Sequence, residues 1–186
     1  GISVAGKIVI ARYGGNYRGY KVKFAEERGA LGVVIYTDPA DSGRGPGYPE
    51  GGWANETSIQ RGSIKTIPYP GDPLTPGVGA VGDVERVDPE LLALPKIPSQ
   101  PIGWAAAERI LSQMKGRAIP ANLEGWPGGL PIEYRFEGGP DLRIRLQVEQ
   151  ERRLVKTANV VASLPGAVHP EPVSYTHLRA HETLLD

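Results

Sequence analysis

Two short apolar runs separated by a helix-length segment constrain this fold more than any other feature of the sequence. Residues 8–11 (Ile-Val-Ile-Ala) form the first run and residues 31–36 (Leu-Gly-Val-Val-Ile-Tyr) form the second. Continuous apolar runs of this length are typical of strands buried on both faces of a sheet. Between them, Arg18 to Arg28 predicts a helix, and Gly29 is placed to cap its C-terminus. Strand, helix and strand within about thirty residues predict a βαβ unit with parallel strands and a right-handed crossover.

The segment after this unit is dominated by loop-forming residues. Residues 38–101 are rich in Gly, Pro, Asp and Ser, which predicts long ordered loops. Glycine (25) and proline (18) together make 43 of the 186 residues in the whole chain. A flexible linker array is the alternative reading of that composition, but strand and helix patterns recur between the loops. Helical spacing then resumes from Trp104 to Lys115, with Gly116 at the position of a cap.

The last third of the sequence predicts strands. Apolar residues alternate with polar ones at 132–136 and again at 142–148, which is typical of antiparallel strands with one buried face. A continuous apolar stretch predicts a further strand at 158–164. We therefore expect an α/β fold with a parallel βαβ core plus antiparallel strands.

Charge and composition exclude several classes of function. Twenty-one basic residues balance twenty-one acidic ones, so nothing electrostatic favours nucleic acid or an anionic membrane as a partner. The absence of cysteine excludes a disulfide scaffold, a thiolate metal site and a cysteine nucleophile. No stretch approaches about 20 apolar residues. Because the sequence starts without Met, we expect it to begin inside a longer protein.

The turn between the first strand and the helix contains Gly14, Gly15 and Gly19, but it is not a nucleotide-binding loop. A P-loop requires Lys and then Ser or Thr after its last glycine, and the dinucleotide pattern fails at Asn16. Arg18 is the notable residue here, because a cation at a helix start opposes the helix dipole. Its guanidinium has the geometry to bind a carboxylate, and the alternatives are a solvated side chain or a surface ion pair.

Two further motifs are weak. His177 and His181 lie four residues apart and Glu182 follows, but the order differs from the zinc motif H-E-x-x-H. Residues 173–186 resemble translated adaptor or vector read-through, so we interpret them as a non-native tail and exclude them from the fold prediction. Residues 55–57 (Asn-Glu-Thr) form a glycosylation sequon, which matters in a secreted eukaryotic protein.

Several motifs follow one another in a consistent order along the chain: Gly6–Gly14, Tyr17–Lys23, Gly29–Asp41, Gln60–Ser63, Gly71–Gly77, Ile97–Gly103 and Thr157–Val168. Together they resemble the protease-associated, or apical, domain of the zinc exopeptidase family that contains glutamate carboxypeptidase II (folate hydrolase) and the transferrin receptor. The resemblance covers roughly residues 1–171. It implies a swivelling β/β/α domain at residues 1–153, the truncated start of a zinc peptidase domain at 154–172, and thus a fragment of a larger peptidase.

The resemblance assigns two substrate-binding residues. In the family, an arginine of this capping domain binds the C-terminal carboxylate of the substrate, and by motif it corresponds to Arg18. An asparagine after Gln-Arg-Gly binds the same carboxylate, and Ser63 stands at that position here. A serine hydroxyl is shorter and donates one proton where the amide donates two.

The resemblance also implies metals. Thr75 and Val78 correspond to a structural calcium loop, whose remaining carboxylates belong to the missing catalytic domain. Two zinc ions and all catalytic residues likewise belong to that missing domain, so we expect the fragment alone to bind calcium weakly and to be inactive.

Two functions follow from the resemblance. The first is a substrate-capping domain of a dizinc metallocarboxypeptidase that acts on peptides with a free C-terminal carboxylate. The alternative is a non-catalytic, receptor-like protein-binding module. The resemblance further implies an extracytoplasmic parent (secreted, periplasmic or membrane-anchored) that forms a homodimer.

Overall fold

The computed structural model describes residues 1–120, 122–123, 125–151, 153–156 and 158. The chain divides into two units, Gly1–Val148 and Glu149–Asp186. All the helices and strands of the described residues lie in the first unit. In chain order they are β1 (Ile8–Arg12), α1 (Arg18–Glu27), β2 (Gly32–Tyr36), α2 (Pro39–Ser42), a 3₁₀ turn (Pro89–Leu91), β3 (Ser99–Ile102) and α3 (Trp104–Leu111).

The three strands form one parallel sheet in the order β1-β2-β3. Val33 of β2 lies opposite Val9 of β1 on one side and opposite Ser99 of β3 on the other. The predicted parallel pairing of β1 with β2 is confirmed. The predicted loop at residues 38–101 is wrong at both ends, where α2 and β3 lie, and it also contains the 3₁₀ turn. Pro101 lies within β3 and is tolerated there because β3 is an edge strand, which does not need every N–H for pairing.

The central strand β2 is buried along its whole length because helices cover both of its faces. Val33 and Ile35 pack in one cluster with Val22 of α1. Tyr36, which points to the opposite face, packs in a second cluster with Ala107 of α3. This double burial is the physical reason why the sequence of β2 is continuously apolar.

Helix α1 ends as the sequence predicts. Gly29 has a φ of +78°, a conformation that glycine adopts without strain. Its N–H donates to the carbonyl of Glu26 at 2.8 Å, and the N–H of Ala30 donates to the carbonyl of Ala25 at 3.0 Å. These bonds satisfy carbonyls that the end of the helix would otherwise leave open, so Gly29 is the predicted cap.

Helix α3 is shorter than predicted. It ends at Leu111 instead of Lys115, and Gly116 is not its cap. The backbone N–H groups of Lys115 and Gly116 donate to the carbonyls of Gly138 and Glu137 instead, each at 3.0 Å. A Cβ at Gly116 would lie 2.5 Å from the Glu137 carbonyl oxygen. Glycine is therefore required here for a close approach of two chain segments.

The predicted antiparallel strands are wrong as hydrogen-bonded elements. In the described residues, the segment 132–136 forms a single antiparallel bridge, between Arg135 and Ala118. The segment 142–148 forms no regular strand, although its even-numbered side chains are half-buried and its odd-numbered ones are exposed. Alternation of apolar and polar residues indicates that one face is buried, but a β-ladder also needs the backbone of a partner strand. None of the three described strands pairs with this segment.

The predicted domain boundaries at residues 153 and 172 stay predictions. The predicted strand at 158–164 and the tail at 173–186 lie outside the described residues, apart from Ala158. No helix in the described part of the chain has the length and hydropathy that a membrane crossing requires.

A matched pair of variants tests whether the 142–148 segment packs on the sheet. A Cβ built on Gly32 of β2 would lie 3.0 Å from Leu146 Cδ2, which places Leu146 against the central strand. We expect Leu146→Ala to lower the free energy of unfolding by about 1–2 kcal/mol, because a half-buried leucine loses part of its packing. The exposed neighbour Arg145 provides the control. Arg145→Ala should change the free energy of unfolding by less than about 0.5 kcal/mol. Urea unfolding followed by tryptophan fluorescence measures both, and equal effects would contradict the packing.

Candidate functional site

A cleft of about 310 Å³ opens where β1 and β2 end. Ligand sites of open parallel sheets commonly lie at this carboxyl edge. One wall comes from the turn between β1 and α1, and the other from α2 and from the loop that contains Gln60. The lining residues are Tyr13, Gly14, Asn16, Tyr17, Arg18, Asp41, Ser42 and Gln60.

Arg18 is the first residue of α1 and reaches into this cleft. The helix begins without a side-chain cap and has no acidic residue in its first turn. The guanidinium carbon lies 5.4 Å from the centre of the Tyr17 ring, within the range of a cation–π contact. Arg18 Nε is buried and has no hydrogen-bond partner in the described part of the chain. The Nε side of Arg18 is therefore shielded from solvent, and the residue belongs to no ion pair among the described residues.

Glycine at position 62 allows the guanidinium to lie where it does. A Cβ added to Gly62 would overlap the terminal atoms of Arg18, including Nη2. Gly62 does not have a positive φ, so the backbone conformation does not require glycine here. What glycine provides is the space that a Cβ would otherwise fill. Sequence patterns could not have revealed this contact, because the two residues are far apart in the chain.

Two tyrosines fasten the loop at residues 60–65 to the start of α1. The Tyr13 hydroxyl donates to the carbonyl of Gln60 at 2.7 Å. The Tyr17 hydroxyl donates to the carbonyl of Ser63 at 2.7 Å and lies 3.1 Å from that of Lys65. These bonds hold Gly62 against Arg18. Neither tyrosine was among the predicted site residues, although both flank the glycine turn.

Ser63 lies beside this contact but does not line the cleft. Its Oγ accepts a hydrogen bond from the backbone N–H of Lys65 at 3.1 Å. The residue is exposed, so its hydroxyl proton remains available to a ligand. The structure thus brings Ser63 near Arg18 through Gly62, with the side chain engaged in its own turn.

The single carboxylate that lines the cleft is already paired. Asp41 Oδ2 lies 3.4 Å from Arg12 Nε. The two terminal nitrogens of Arg12 donate to the carbonyls of Pro127 and Gly125 at 3.2 and 3.3 Å. Lys21 donates to the carbonyl of Gly14 at 2.8 Å, and burial together with the charge of Arg12 lowers its pKa. Arg18 is the remaining cation of the cleft.

A second cluster of polar groups follows β2 and was not predicted from the sequence. Asp38 is almost fully buried, and its Oδ1 accepts hydrogen bonds from the N–H groups of Ala40 and Gly129, both at 2.8 Å. The Tyr134 hydroxyl accepts from the N–H of Leu130 at 3.0 Å. The Asp38-Pro39 pair is a recognisable helix-start signal, but the distant partner Gly129 is visible only in the fold. Asp38 therefore anchors the loop around residue 129 to the end of β2.

A larger cavity of about 520 Å³ lies along residues 118–120 and 132–134. Its lining includes Leu123, Pro127 and Ile132, and Glu133 is the one charged residue among them. The smaller cleft remains the better candidate for an anionic ligand, because it contains an unpaired cation and the larger cavity does not.

Thr75 and Val78, the predicted calcium ligands, form a tight turn. Gly77 has a φ of +78°, and the N–H of Val78 donates to the carbonyl of Thr75 at 3.3 Å. The buried Thr75 hydroxyl lies 3.2 Å from the carbonyl oxygen of Val78, to which it donates. The two oxygens are therefore close together, but calcium takes six to eight oxygen ligands.

The described residues do not supply a complete site for either implied metal. They contain no group of three or more His, Cys, Asp or Glu side chains arranged to hold a metal ion. His177, His181 and Glu182 lie outside the described residues. Calcium at Thr75 and Val78 stays a prediction, and so does zinc in the parent protein.

Comparison with known proteins identifies the domain. Residues 1–68 match the protease-associated (PA) domain family. The chain is 34% identical over 185 residues to mouse Aminopeptidase NAALADL1, and 36% identical over 183 residues to the Probable glutamate carboxypeptidase of Arthroderma benhamiae. It is 33% identical over 171 residues to mouse Transferrin receptor protein 2. The chain carries a PA domain of the glutamate carboxypeptidase-like family.

The coverage of these matches is unequal. The match to NAALADL1 covers 92% of this chain and 24% of that relative. The match to the Arthroderma protein covers 93% of this chain and 25% of the relative, and the match to Transferrin receptor protein 2 covers 92% and 20%. The chain thus spans about a quarter of the length of these relatives. The PA-domain match contains Arg18 and Ser63, whereas Thr75 and Val78 follow it.

Buried and half-buried tyrosines of the PA domain predict a loss of stability in alkali. Burial is the main cause that raises the pKa of Tyr13, Tyr36 and Tyr134 above the ordinary value of 10.0, and for Tyr13 the charge of Arg18 partly opposes it. Above about pH 10 the unfolded chain releases these protons before the folded chain does. The free energy of unfolding should therefore fall as pH rises, by up to about 1.4 kcal/mol per pH unit for each tyrosine.

Tyr36→Phe should make this decline shallower, because Tyr36 has the largest shift of the three. Lys21, whose pKa is lowered, contributes a slope of the opposite sign. The difference between wild type and variant therefore reports Tyr36 together with its effect on the neighbouring Tyr134. Urea unfolding between about pH 8 and pH 11 measures it. Identical slopes for the two proteins would refute the assignment.

Proposed function

We propose that this PA domain is the substrate-facing domain of a glutamate carboxypeptidase-like exopeptidase, in which Arg18 binds the C-terminal carboxylate of a peptide. The observation that carries the proposal is the unpaired guanidinium of Arg18 in the cleft at the carboxyl edge of the sheet. Its Nε is buried without a partner in the described residues, and the nearby carboxylate of Asp41 is held by Arg12.

A carboxylate ligand suits this arrangement. A planar carboxylate accepts two parallel hydrogen bonds from a guanidinium, and hydrogen bonds to a charged group are stronger than neutral ones. An anion also interacts favourably with the positive end of α1, where Arg18 lies. The contacts with Tyr17 and Gly62 orient the guanidinium before a ligand arrives, which lowers the entropy cost of binding.

Ser63 is the proposed second donor to the same carboxylate. Its position beside Gly62 and the exposure of its side chain support this role. Because its Oγ already accepts from Lys65, it offers the ligand a single hydroxyl proton. We expect its contribution to be smaller than that of Arg18, because a neutral donor forms a weaker bond than a charged one.

The remaining parts of the proposal concern the longer protein. Hydrolysis would require the two zinc ions and the catalytic residues of a following domain, and the calcium loop at Thr75 and Val78 would be completed by carboxylates from that domain. The described residues fit neither metal alone, so the proposed role of this chain is to cap the substrate and orient its terminus. A homodimeric parent in an extracytoplasmic compartment also belongs to the proposal.

Removal of the guanidinium provides the direct test. Arg18→Ala should weaken binding of an N-acetylated peptide that ends in a free glutamate by about 10- to 100-fold, because a charge-assisted pair contributes roughly 1.5–3 kcal/mol. Titration of the ¹⁵N-labelled chain by NMR measures the affinity. Unchanged affinity would contradict the proposed role.

Two controls make that result specific. The first is the same peptide with a C-terminal amide, which should bind weakly to wild type and variant alike. The second is Arg28→Ala, since Arg28 lies at the other end of the same helix and also contacts an aromatic ring, that of Phe24. Arg28→Ala should bind the free acid as wild type does.

A substitution at Gly62 tests whether the position of the guanidinium matters as well as its charge. In Gly62→Ala the new methyl group would displace the flexible end of Arg18 and leave the backbone unstrained. We expect the thermal midpoint to stay nearly constant while the affinity for the free-acid peptide falls by about tenfold. Gly52→Ala is the matched control, because a Cβ there meets nothing within 4 Å. Wild-type affinity in Gly62→Ala would show that the contact is incidental.

The second candidate function is a receptor-like protein-binding module without catalysis. It is favoured by the 33% identity with mouse Transferrin receptor protein 2. In such a module the cleft need not select a terminal carboxylate. Equal binding of the free-acid and amide peptides by the wild-type chain would support this second function over the first.

A further inference from the structure

The loop before β3 contains a motif that the proposed peptide cleft does not use. Asn55, Glu56 and Thr57 are all exposed. They form the pattern N-x-T, where x is not proline, which is the acceptor pattern for N-linked glycans. The other asparagines of the sequence, Asn16, Asn122 and Asn159, have no Ser or Thr two positions later, so this acceptor pattern is unique in the chain.

The structure orients the side chain of Asn55 in a defined way. Its Oδ1 accepts hydrogen bonds from Thr57 N at 3.0 Å, from Thr57 Oγ1 at 2.9 Å and from Ser58 Oγ at 3.0 Å. A backbone N–H can only donate, so the atom that faces it must be the amide oxygen and not the nitrogen. Because the amide group is planar, Nδ2 points away from these donors.

The backbone of this loop is fixed although its side chains are exposed. The N–H of Ala54 donates to the carbonyl of Ser42 at 2.9 Å, and the N–H of Ala105 donates to the carbonyl of Glu56 at 3.1 Å. A Cβ on the buried Gly103 would lie 2.6 Å from that same Glu56 carbonyl oxygen. The loop therefore rests on the start of α3, with Asn55 on its outer side.

We propose that Asn55 is an N-glycosylation site. The modification joins Nδ2 of Asn55 to the anomeric carbon of an oligosaccharide supplied on a polyprenyl pyrophosphate carrier. The bond between that carbon and the pyrophosphate oxygen breaks, the polyprenyl pyrophosphate leaves with the bonding electrons, and one amide proton passes to a base of the transferase. No redox change occurs.

The site has a structural consequence for the longer protein. A glycan is bulky and hydrated, so the surface that carries it must stay open to solvent. The outer side of the loop at residues 54–58 therefore lies away from interfaces with other domains or subunits. The glycan proposal rests on the extracytoplasmic location that belongs to the proposed function, but not on the role of Arg18, so the two proposals can fail separately.

Secretion of the 186-residue chain from yeast, behind a secretory leader, tests the site. We expect one glycan per chain, removed by a peptide amidase that converts the glycosylated asparagine to aspartate. Mass spectrometry of tryptic peptide 45–61 then locates the new aspartate at position 55. Secreted, folded chain without this conversion would overturn the proposal.

Three variants separate the acceptor chemistry from folding. Asn55→Gln and Thr57→Val should both lose the glycan, whereas Thr57→Ser keeps the hydroxyl and should retain it. Circular dichroism of each secreted protein verifies that it is folded. Retention of the glycan in Thr57→Val would contradict the hydroxyl requirement, and a glycan in Asn55→Gln would place the modification elsewhere.

Discussion

The burial of β2 on both faces is the constraint on which the rest of the structure depends. Its apolar side chains form one cluster with α1 and another with α3, and its backbone pairs with β1 and β3. Because both neighbouring strands are parallel to β2, their carboxyl ends meet at one edge of the sheet. The turn after β1 and the helix start after β2 are therefore neighbours, and this brings Arg12 at the end of β1 within ion-pair distance of Asp41.

The sequence predicted the elements whose side-chain pattern is determined by burial alone. β1 and β2 are short apolar strands, α1 begins and ends close to its predicted bounds, and Gly29 ends the helix as expected. Prediction failed where pairing depends on a distant partner. β3 is obscured by proline, which an edge strand tolerates. Residues 142–148 show the predicted alternation in burial, yet they form no regular strand, because periodicity carries no information about the partner backbone.

The candidate site, like the fold, could be predicted from the sequence only in part. Resemblance to a family indicated Arg18 and Ser63, while the residues alone left a solvated arginine and a surface ion pair as alternatives. What fixes the guanidinium comes from tertiary contacts: the hydroxyls of Tyr13 and Tyr17 tether the loop at 60–65, and that loop presents Gly62. Gly62 lies 44 positions after Arg18 and 49 positions after Tyr13. No local sequence pattern could therefore have connected these residues.

The same tethering explains why a cation occupies an unfavourable position. At the start of a helix, a positive charge opposes the dipole at a cost of roughly 0.3–1 kcal/mol, and Nε is buried without a described partner. A stability-driven sequence would place an acid or a capping side chain there, as Asp38 does at the start of α2. The two helix starts lie at the same sheet edge, yet only that of α2 is capped internally. The positive end of α1 and its arginine therefore have no ion-pair partner in the described part of the chain, and this is the observation on which the proposed carboxylate site rests.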